Sequence, residues 1–455
     1  VRYHLVTLGC PKNVVDSQYL ERLLQQGRHQ PTQRLSQADL LIVNTCGFID
    51  SSKEESINAV LRLAERKGPH QRLVVAGCMT QLYADEVARE IPEIDHVFGV
   101  NQWEELASLA GDPADRPIDA PPIDAPLDAP WDIPLTSAVD HPRASAYLKI
   151  SDGCNAPCTF CIIPTIKGRF ASAGLGELVI EARRLADCGA RELVLVAQDS
   201  TAWGEDLGIR DGLPDLITAL AEAVPQVPWL RLMYAYPGRV SERLIRVMAE
   251  TPAVCHYLDV PLQHGSASVL KRMLRPANVA AVRRMIDDLR AAMPDIALRT
   301  SLITGFPGET EREFEEVAEF LREIRFDHVG IFTYSAQVGT PAAELQDQLP
   351  EKVKRLRRAK LMRLQEEISA EKTRRLVGTE LTVLVDDQEL IRAPQQGMPN
   401  IFVARSYRDA PEVDGLVICS GTANPGDMPR VRVTEALAHD LVAEIVPQRA
   451  AAPAK

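Results

Sequence analysis

Over the first hundred positions, short apolar runs alternate with stretches whose apolar residues recur every three to four positions. YHLVTLG (3–9), ADLLIVNT (38–45), RLVVAG (72–77) and HVFGV (96–100) read as strands. NVVDSQYLERLLQQ (13–26), SSKEESINAVLRLAERKG (51–68), a stretch from about Thr80, and NQWEELASLA (101–110) read as helices, with Ser51 or Ser52 as the N-cap of the second. This alternation predicts βαβ units and a parallel sheet covered by helices. It resumes over 147–335, where YLKIS, ELVLVAQ, WLRLMYAY, YLDVPLQ, ALRTSLITG and HVGIFTYS give six β/α units, enough for a partial barrel of the TIM type. Residues 350–377 carry one long charged helical pattern, with Gly378 as its stop. TELTVLVDD, NIFVARS, GLVICSG and MPRVRVTEA then predict a small closed β-barrel.

The expected fold is therefore α/β: an N-terminal parallel α/β sheet domain, a central partial (β/α)6 barrel and a C-terminal β-barrel. The expected boundaries are 1–112, 144–370 and 372–446. Residues 113–143, with their IDAP/LDAP repeats, read as a stiff acidic linker, and 447–455 as a disordered tail. No apolar run approaches the ~18 residues of a membrane span, and VRYHLVTLGCPKN lacks the apolar core of a signal peptide. The expectation is a cytoplasmic protein with no membrane partner. There the nine cysteines stay reduced, so clustered ones read as metal or catalytic groups. The net charge of −12 argues against generic nucleic-acid binding, which draws on Lys and Arg, and suits a basic protein partner.

Cys10, Cys46 and Cys78 each directly follow an apolar strand: VTLGC, LIVNTC, VVAGC. Their spacing is about one βαβ unit. In a parallel sheet, all three thiols then sit beyond the carboxyl ends of the strands, where α/β sheets place their sites. A preceding glycine at Cys10 and Cys78 permits close backbone approach. The bland alternative is three unrelated core cysteines. Cys154, Cys158 and Cys161 form C-x3-C-x2-C straight after YLKIS. Three thiolates do not close a tetrahedral zinc site. Iron–sulfur clusters normally take four ligands, so three on a cubane leave one iron open to a small molecule. Zinc with a remote fourth ligand is the rival. Phe160, just before the last thiol, would shield the cluster or its ligand.

This spacing after the first strand of a β/α barrel resembles the radical S-adenosylmethionine superfamily. TLGCPKNVVDSQ, NTCGFIDSSKEESI, AGCMTQLY and the C-x3-C-x2-C barrel together look like its methylthiotransferase family, whose plan a TRAM-type barrel completes. The resemblance implies two [4Fe–4S] clusters, held by Cys10, Cys46 and Cys78 and by Cys154, Cys158 and Cys161. The first would handle the sulfur and methyl group. The second would bind S-adenosylmethionine at its open iron and cleave it to a deoxyadenosyl radical that abstracts hydrogen. Two S-adenosylmethionine molecules would be used per turnover. An electron donor of flavodoxin or ferredoxin type and a sulfur source are implied as partners.

Family members modify either a transfer-RNA adenosine or an aspartate of ribosomal protein uS12. CPKN, CGFI, SDGCNAPCTFCIIP, YLDVPLQHGS, TGFPGET and DAPEVDG look like the ribosomal-protein branch. From Thr379 to Val446 eleven acids stand against five arginines, which suits a basic protein better than transfer RNA. A departure is the segment after the cluster loop, in which many relatives have basic residues; here it reads GRFASAGLGEL, with Ala171 and Ala173 flanking Ser172. Gln198, Asp199 and Ser200, then Asp259, Gln263 and His264, then Thr304 to Glu309, should line the barrel mouth. By resemblance Phe160, Gln198 and Gly305 contact S-adenosylmethionine; turn chemistry and helix capping are the competing explanation. Cys188, Cys255 and Cys419 read as ordinary buried thiols, and the helix with Lys352, Lys354, Arg355, Arg357, Arg358 and Lys360 as a solvated charged face. A non-catalytic zinc or iron–sulfur protein is the distant alternative.

Overall fold

The computed structural model describes residues 1–111, 144–386 and 400–447. The linker and the C-terminal tail expected from sequence lie outside these, apart from Pro447.

The first unit runs β1 (Arg2–Thr7), α1 (Pro11–Gln26), β2 (Gln30–Pro31), β3 (Leu40–Thr45), α2 (Asp50–Ala64), β4 (Arg72–Gly77), α3 (Cys78–Glu90), β5 (His96–Phe98) and α4 (Trp103–Gly111). Its sheet is parallel throughout, in the order β2-β1-β3-β4-β5. Every residue of β3 is buried, as a central parallel strand covered on both faces requires.

The second unit runs β6 (Ser145–Lys149), β7 (Ser151–Asp152), α5 (Ile163–Lys167), β8 (Ala171–Ser172), α6 (Leu175–Asp187), β9 (Glu192–Val196), α7 (Leu213–Ala223), β10 (Trp229–Leu232), α8 (Glu242–Glu250), β11 (Val254–Asp259), α9 (Ala267–Arg272), α10 (Val279–Ala292), β12 (Ala297–Thr304), α11 (Glu311–Ile324), β13 (His328–Thr333) and the long α12 (Glu351–Arg374). Six parallel strands lie side by side in the order β13-β12-β11-β10-β9-β6, the partial barrel expected from sequence. Alternate strand residues divide between two cores. Leu148, Leu195, Leu230, Leu258 and Leu298 pack on the helices. Tyr147, Val194, Trp229, Tyr257 and Ala297 face the concave side.

The last unit is a closed barrel of β14 (Glu380–Val385), β15 (Ile401–Ser406), β16 (Val417–Ser420), β17 (Arg430–Ala436) and β18 (Leu441–Ile445). Its fifth strand, β18, was not anticipated. Its burial alternates, and it closes the barrel by pairing with both β16 and β17.

The concave side of the half barrel is filled by its neighbours as well as by its own residues. Val14 and Val15 of α1, and Leu384 and Ala410 of the C-terminal barrel, pack among its inward residues. The polar frame of that joint is buried. Glu192 binds Arg231 (2.7 Å) and Arg405 (2.8 Å). Arg299 holds Asp259 and Asp414 at 3.2 Å each. Asp414 also accepts from Tyr257 (2.7 Å). The DAPEVDG run thus serves to seat the small barrel in the large one.

Burial pushes the Glu192 carboxyl up, but Arg405 and Arg231 outweigh it and hold it at about 2, down from 4.5. A depressed acid contributes stability above its ordinary pKa, which is lost as pH falls towards its folded value. We therefore expect the joint to lose about 3 kcal/mol between pH 4.5 and 2. Unfolding midpoints measured across that window should show a steeper acid loss in the native chain than in Glu192→Gln, which begins lower at neutral pH.

Three local expectations need correction. The second helix starts at Asp50 with Ile49 in the cap position, so neither Ser51 nor Ser52 caps it. The third starts at Cys78 rather than about Thr80. The long helix ends at Arg374, and Gly378, at φ +86°, instead turns the chain into β14 by donating to Val433 O. The basic face of α12 is also not wholly solvated. Lys354 and Arg357 are buried, donating to Tyr334 O and to Glu309, while Lys352, Arg355 and Lys360 are exposed. Among the described residues no helix is long and apolar enough to cross a membrane.

Candidate functional site

Cys10 precedes α1, Cys46 follows β3, and Cys78 opens α3. Because β1, β3 and β4 are adjacent and parallel, the three thiols meet at one sheet edge. Glycine makes the approach possible. A Cβ on Gly9 (φ +94°) would come within 2.7 Å of Cys46 Cβ, and one on Gly77 (φ +105°) within 2.4 Å of Asn44 Oδ1. Asn13 ties the three loops together. Its Nδ2 donates to Leu8 O (2.9 Å) and Thr45 O (3.1 Å), and its Oδ1 accepts from Cys78 Sγ at 3.5 Å. Ser56 Oγ bonds both the N–H and the C=O of Cys46, each at 3.0 Å. Burial pushes the Cys46 and Cys78 thiols up.

The second set lies in the loop after β7. Gly168 O and Met273 O anchor that loop through Cys154 N and Thr159 N. Arg275 Nη1 lies 3.7 Å from Cys158 Sγ, and its guanidinium stacks 4.2 Å from the Tyr236 ring. Burial pushes Cys154 up and Cys161 up to about 12. Cys78 shares an apolar cluster with Ile162 and Ile166, the turn directly after Cys161. The two sets therefore face one another across the mouth of the half barrel.

A charged quartet joins them. Asp16 of α1 binds Lys149 (2.5 Å) and Lys167 (2.7 Å), and Asp152, two residues before Cys154, binds the same lysines at 2.9 and 3.7 Å. All four side chains are at most 2% exposed. Burial opposes the charge on Asp152, but Lys149 and Lys167 hold its carboxyl well below the usual range. Lys167 is likewise held above its usual value by Asp152 and Asp16 against burial. The segment after β10 spans the gap. Burial pushes the phenols of Tyr234, beside Cys10, and Tyr236, beside Cys158, above their ordinary value.

Gln198 Nε2 donates to Asp152 Oδ1 (2.8 Å), while its Oε1 and the nearby Ser151 Oγ are buried without a partner among the described residues. Phe160 packs with Met273, Phe306 and Tyr334 at the barrel mouth. Gly305 donates to Glu309 Oε2 (2.7 Å) and lies against the Lys354 stem. Asp199 binds Arg239 (2.5 Å) and caps the turn at Thr201, so it has structural work of its own. His264 Nδ1 accepts from Ser266 N, which leaves the ring proton on Nε2, 3.5 Å from Glu309. Gln263, at φ +78°, is in the left-handed region. Ala171 belongs to β8, and Ala173 is buried with its carbonyl bound by Trp203. Cys255 and Cys419 are buried core thiols and Cys188 is half-buried. Sequence reasoning missed Asn13, Asp16, Lys149, Lys167 and Tyr234.

Among the described residues no three His, Cys, Asp or Glu side chains converge on a single metal ion. A four-iron cluster makes a different demand, because each thiolate holds a separate iron across the cube. Six free thiols in two groups of three, with unpartnered polar atoms beside the second, fit such clusters and a polar ligand.

A parallel half barrel with three thiols just past its first strand defines a radical S-adenosylmethionine enzyme. The profile of the Radical SAM superfamily matches residues 148–321, that of Uncharacterized protein family UPF0004 residues 2–99, and that of the TRAM domain residues 377–446. The methyltransferase TsrM from Kitasatospora setae, solved with cobalamin and a [4Fe–4S] cluster, shares the fold at a TM-score of 0.52. It is 14% identical over 75% of this chain and 77% of that one. Ribosomal protein uS12 methylthiotransferase RimO of Roseiflexus sp. (strain RS-1) is 45% identical over 98% of this chain and 97% of its own. Those of Chloroflexus aurantiacus (44%, over 98% and 99%) and Geobacter sulfurreducens (42%, over 97% and 98%) are similar. The chain belongs to the family of ribosomal protein uS12 methylthiotransferases RimO. Its class implies a [4Fe–4S] cluster and S-adenosylmethionine.

Proposed function

We propose that this chain inserts sulfur at the β-carbon of an aspartate of ribosomal protein uS12 and caps it with methyl. The observation that carries the reading is the pair of three-thiol sets facing one another across the barrel mouth. We assign one cluster to Cys10, Cys46 and Cys78 and a second to Cys154, Cys158 and Cys161. Residues 1–112 would form the first-cluster domain, 144–370 the radical core and 372–446 the substrate-binding barrel. When bound, these groups and S-adenosylmethionine supply the radical, the sulfur and the methyl. The chain's own residues do the rest. Asn13 and Ser56 hold the first loops in register. Phe160 and its apolar neighbours shield the second set from water. Gln198 Oε1 and Ser151 Oγ offer acceptors to the cofactor, and Gly305 gives the rim of its seat.

The small barrel supports a protein substrate. From Thr379 onward its four described arginines all pair with acids: Arg405 with Asp386 and Glu192, Arg408 with Asp327, and Arg430 and Arg432 with Glu380. Glu412, Asp427, Glu435, Asp440 and Glu444 have no basic partner among the described residues. The outward charge is thus acidic, which repels nucleic-acid phosphate and suits a basic ribosomal protein. The reaction belongs in the cytoplasm, with a flavodoxin- or ferredoxin-like electron donor and a sulfur source. Mass spectrometry after anaerobic reaction with S-adenosylmethionine, reductant and sulfide tests the reading. A methylthio gain is expected on the uS12 aspartate and none on transfer RNA; gain on adenosine alone would overturn it.

A further inference from the structure

The gap between the thiol sets holds a cation without an anion. Lys12, two residues past Cys10, is half-buried, and its Nζ lies 3.7 Å from the centroid of the Tyr234 ring. Among the described residues no carboxylate pairs with it. The other cations named around the two sets are differently placed. Arg299 is shared by Asp259 and Asp414. Arg239 holds Asp199 and Glu205, and Lys53 holds Asp50. Lys149 and Lys167 are committed to the quartet. Arg275 donates to Pro261 O and Cys158 Sγ.

Tyr234 adds a second observation. It sits at φ +62°, a conformation that persists in a non-glycine residue only where the surroundings enforce it. The strained turn sets its ring against the Lys12 ammonium. The π-face of a ring holds a cation more weakly than a carboxylate does, so Lys12 is placed and only partly satisfied. The acids around it are committed elsewhere: Asp16, one turn on along α1, to Lys149 and Lys167, and Asp259 and Asp414, beside Tyr234, to Arg299.

We propose that Lys12, seated on Tyr234, is the binding site for the carboxylate of the substrate aspartate side chain. This rests on the function proposed above and gives it a physical basis for choosing aspartate. The carboxyl carbon is one bond from the β-carbon. Pinning it at Lys12 therefore holds the reacting carbon beside Cys10, with the Tyr234–Tyr236 segment leading on to the second set.

The test uses the full chain, anaerobically reconstituted, as native protein, Lys12→Met and Lys12→Arg. Equilibrium binding is measured for a uS12 loop peptide carrying the target aspartate and for the same peptide with asparagine. The native chain should prefer aspartate by about tenfold to a hundredfold, the range of one charge-assisted contact. Lys12→Met should bind both peptides alike, and Lys12→Arg should recover a preference. A general loosening of the site would weaken both peptides together, so the ratio reports the contact itself. An undiminished aspartate preference in Lys12→Met would overturn the proposal while leaving the proposed function standing. Failure of the native chain to bind either peptide, with methylthio gain on transfer RNA instead, would overturn both.

Discussion

Alanine at Cys10, Cys46 or Cys78 is expected to halve the iron bound per chain, from about eight to about four. Methylthio transfer should fall below detection while cleavage of S-adenosylmethionine under reducing conditions continues. Alanine at Cys154, Cys158 or Cys161 should also leave about four irons, but abolish cleavage and transfer together. The asymmetry follows from how the two loop systems are built. The first set hangs on strand ends of its own sheet and is braced by Asn13 and Ser56. The second lies in a loop anchored to Gly168 O and Met273 O of the barrel. Cys78 touches the turn after Cys161, but the hydrogen bonds that brace each set come from its own unit, so losing one need not empty the other. Iron and sulfide assays with chromatography of the cleaved nucleoside check both halves. Loss of all eight irons from a single substitution would mean that the sites assemble as one.

The placement of the six thiols was legible because it depends on a local rule. A cysteine directly after an apolar strand of a parallel sheet lies at the sheet's carboxyl edge whatever the rest of the chain does. Gly9 and Gly77 were legible for the same reason, since close approach and a positive φ leave a mark in the residue type. The quartet was not. Asp16 is 133 residues from Lys149 and 151 from Lys167, and no period in the sequence relates them. Asp16 alone reads as a polar position on an amphipathic helix, and only docking of α1 into the half barrel turns its face inward. Lys354 and Arg357 were misjudged in the same way, because a charged helix looks solvated until its neighbours are known. β18 escaped because LVAEI is short and its barrel role depends on pairing with β16 and β17. DAPEVDG resembled a family mark, and its physical reason became visible only at the joint: Asp414 meets Arg299 and Tyr257 from another unit.

Asp16→Asn is expected to be the most destabilising single change at the face between the thiol sets. Asp16 and Asp152 balance Lys149 and Lys167, and all four are out of water. Removing one acid leaves two buried ammonium groups to share Asp152, and breaking a buried pair from one side costs about 3–5 kcal/mol. The unfolding midpoint of the metal-free chain should fall by roughly 10 °C. Lys167→Met in the same chain removes the surplus charge, so the double variant should be more stable than the sum of the single losses, a coupling a double-mutant cycle resolves. Strict additivity would mean that the four groups do not act as a unit. The effect should reach chemistry as well. Asp16 is six residues past Cys10 and Asp152 two before Cys154, so the quartet sets how far apart the two thiol sets stand. A displacement of about 1 Å between reacting groups can cost a hundredfold in rate. Asp16→Asn should therefore lower methylthio transfer far more than cleavage of S-adenosylmethionine, which under the proposed assignment draws on the second set alone.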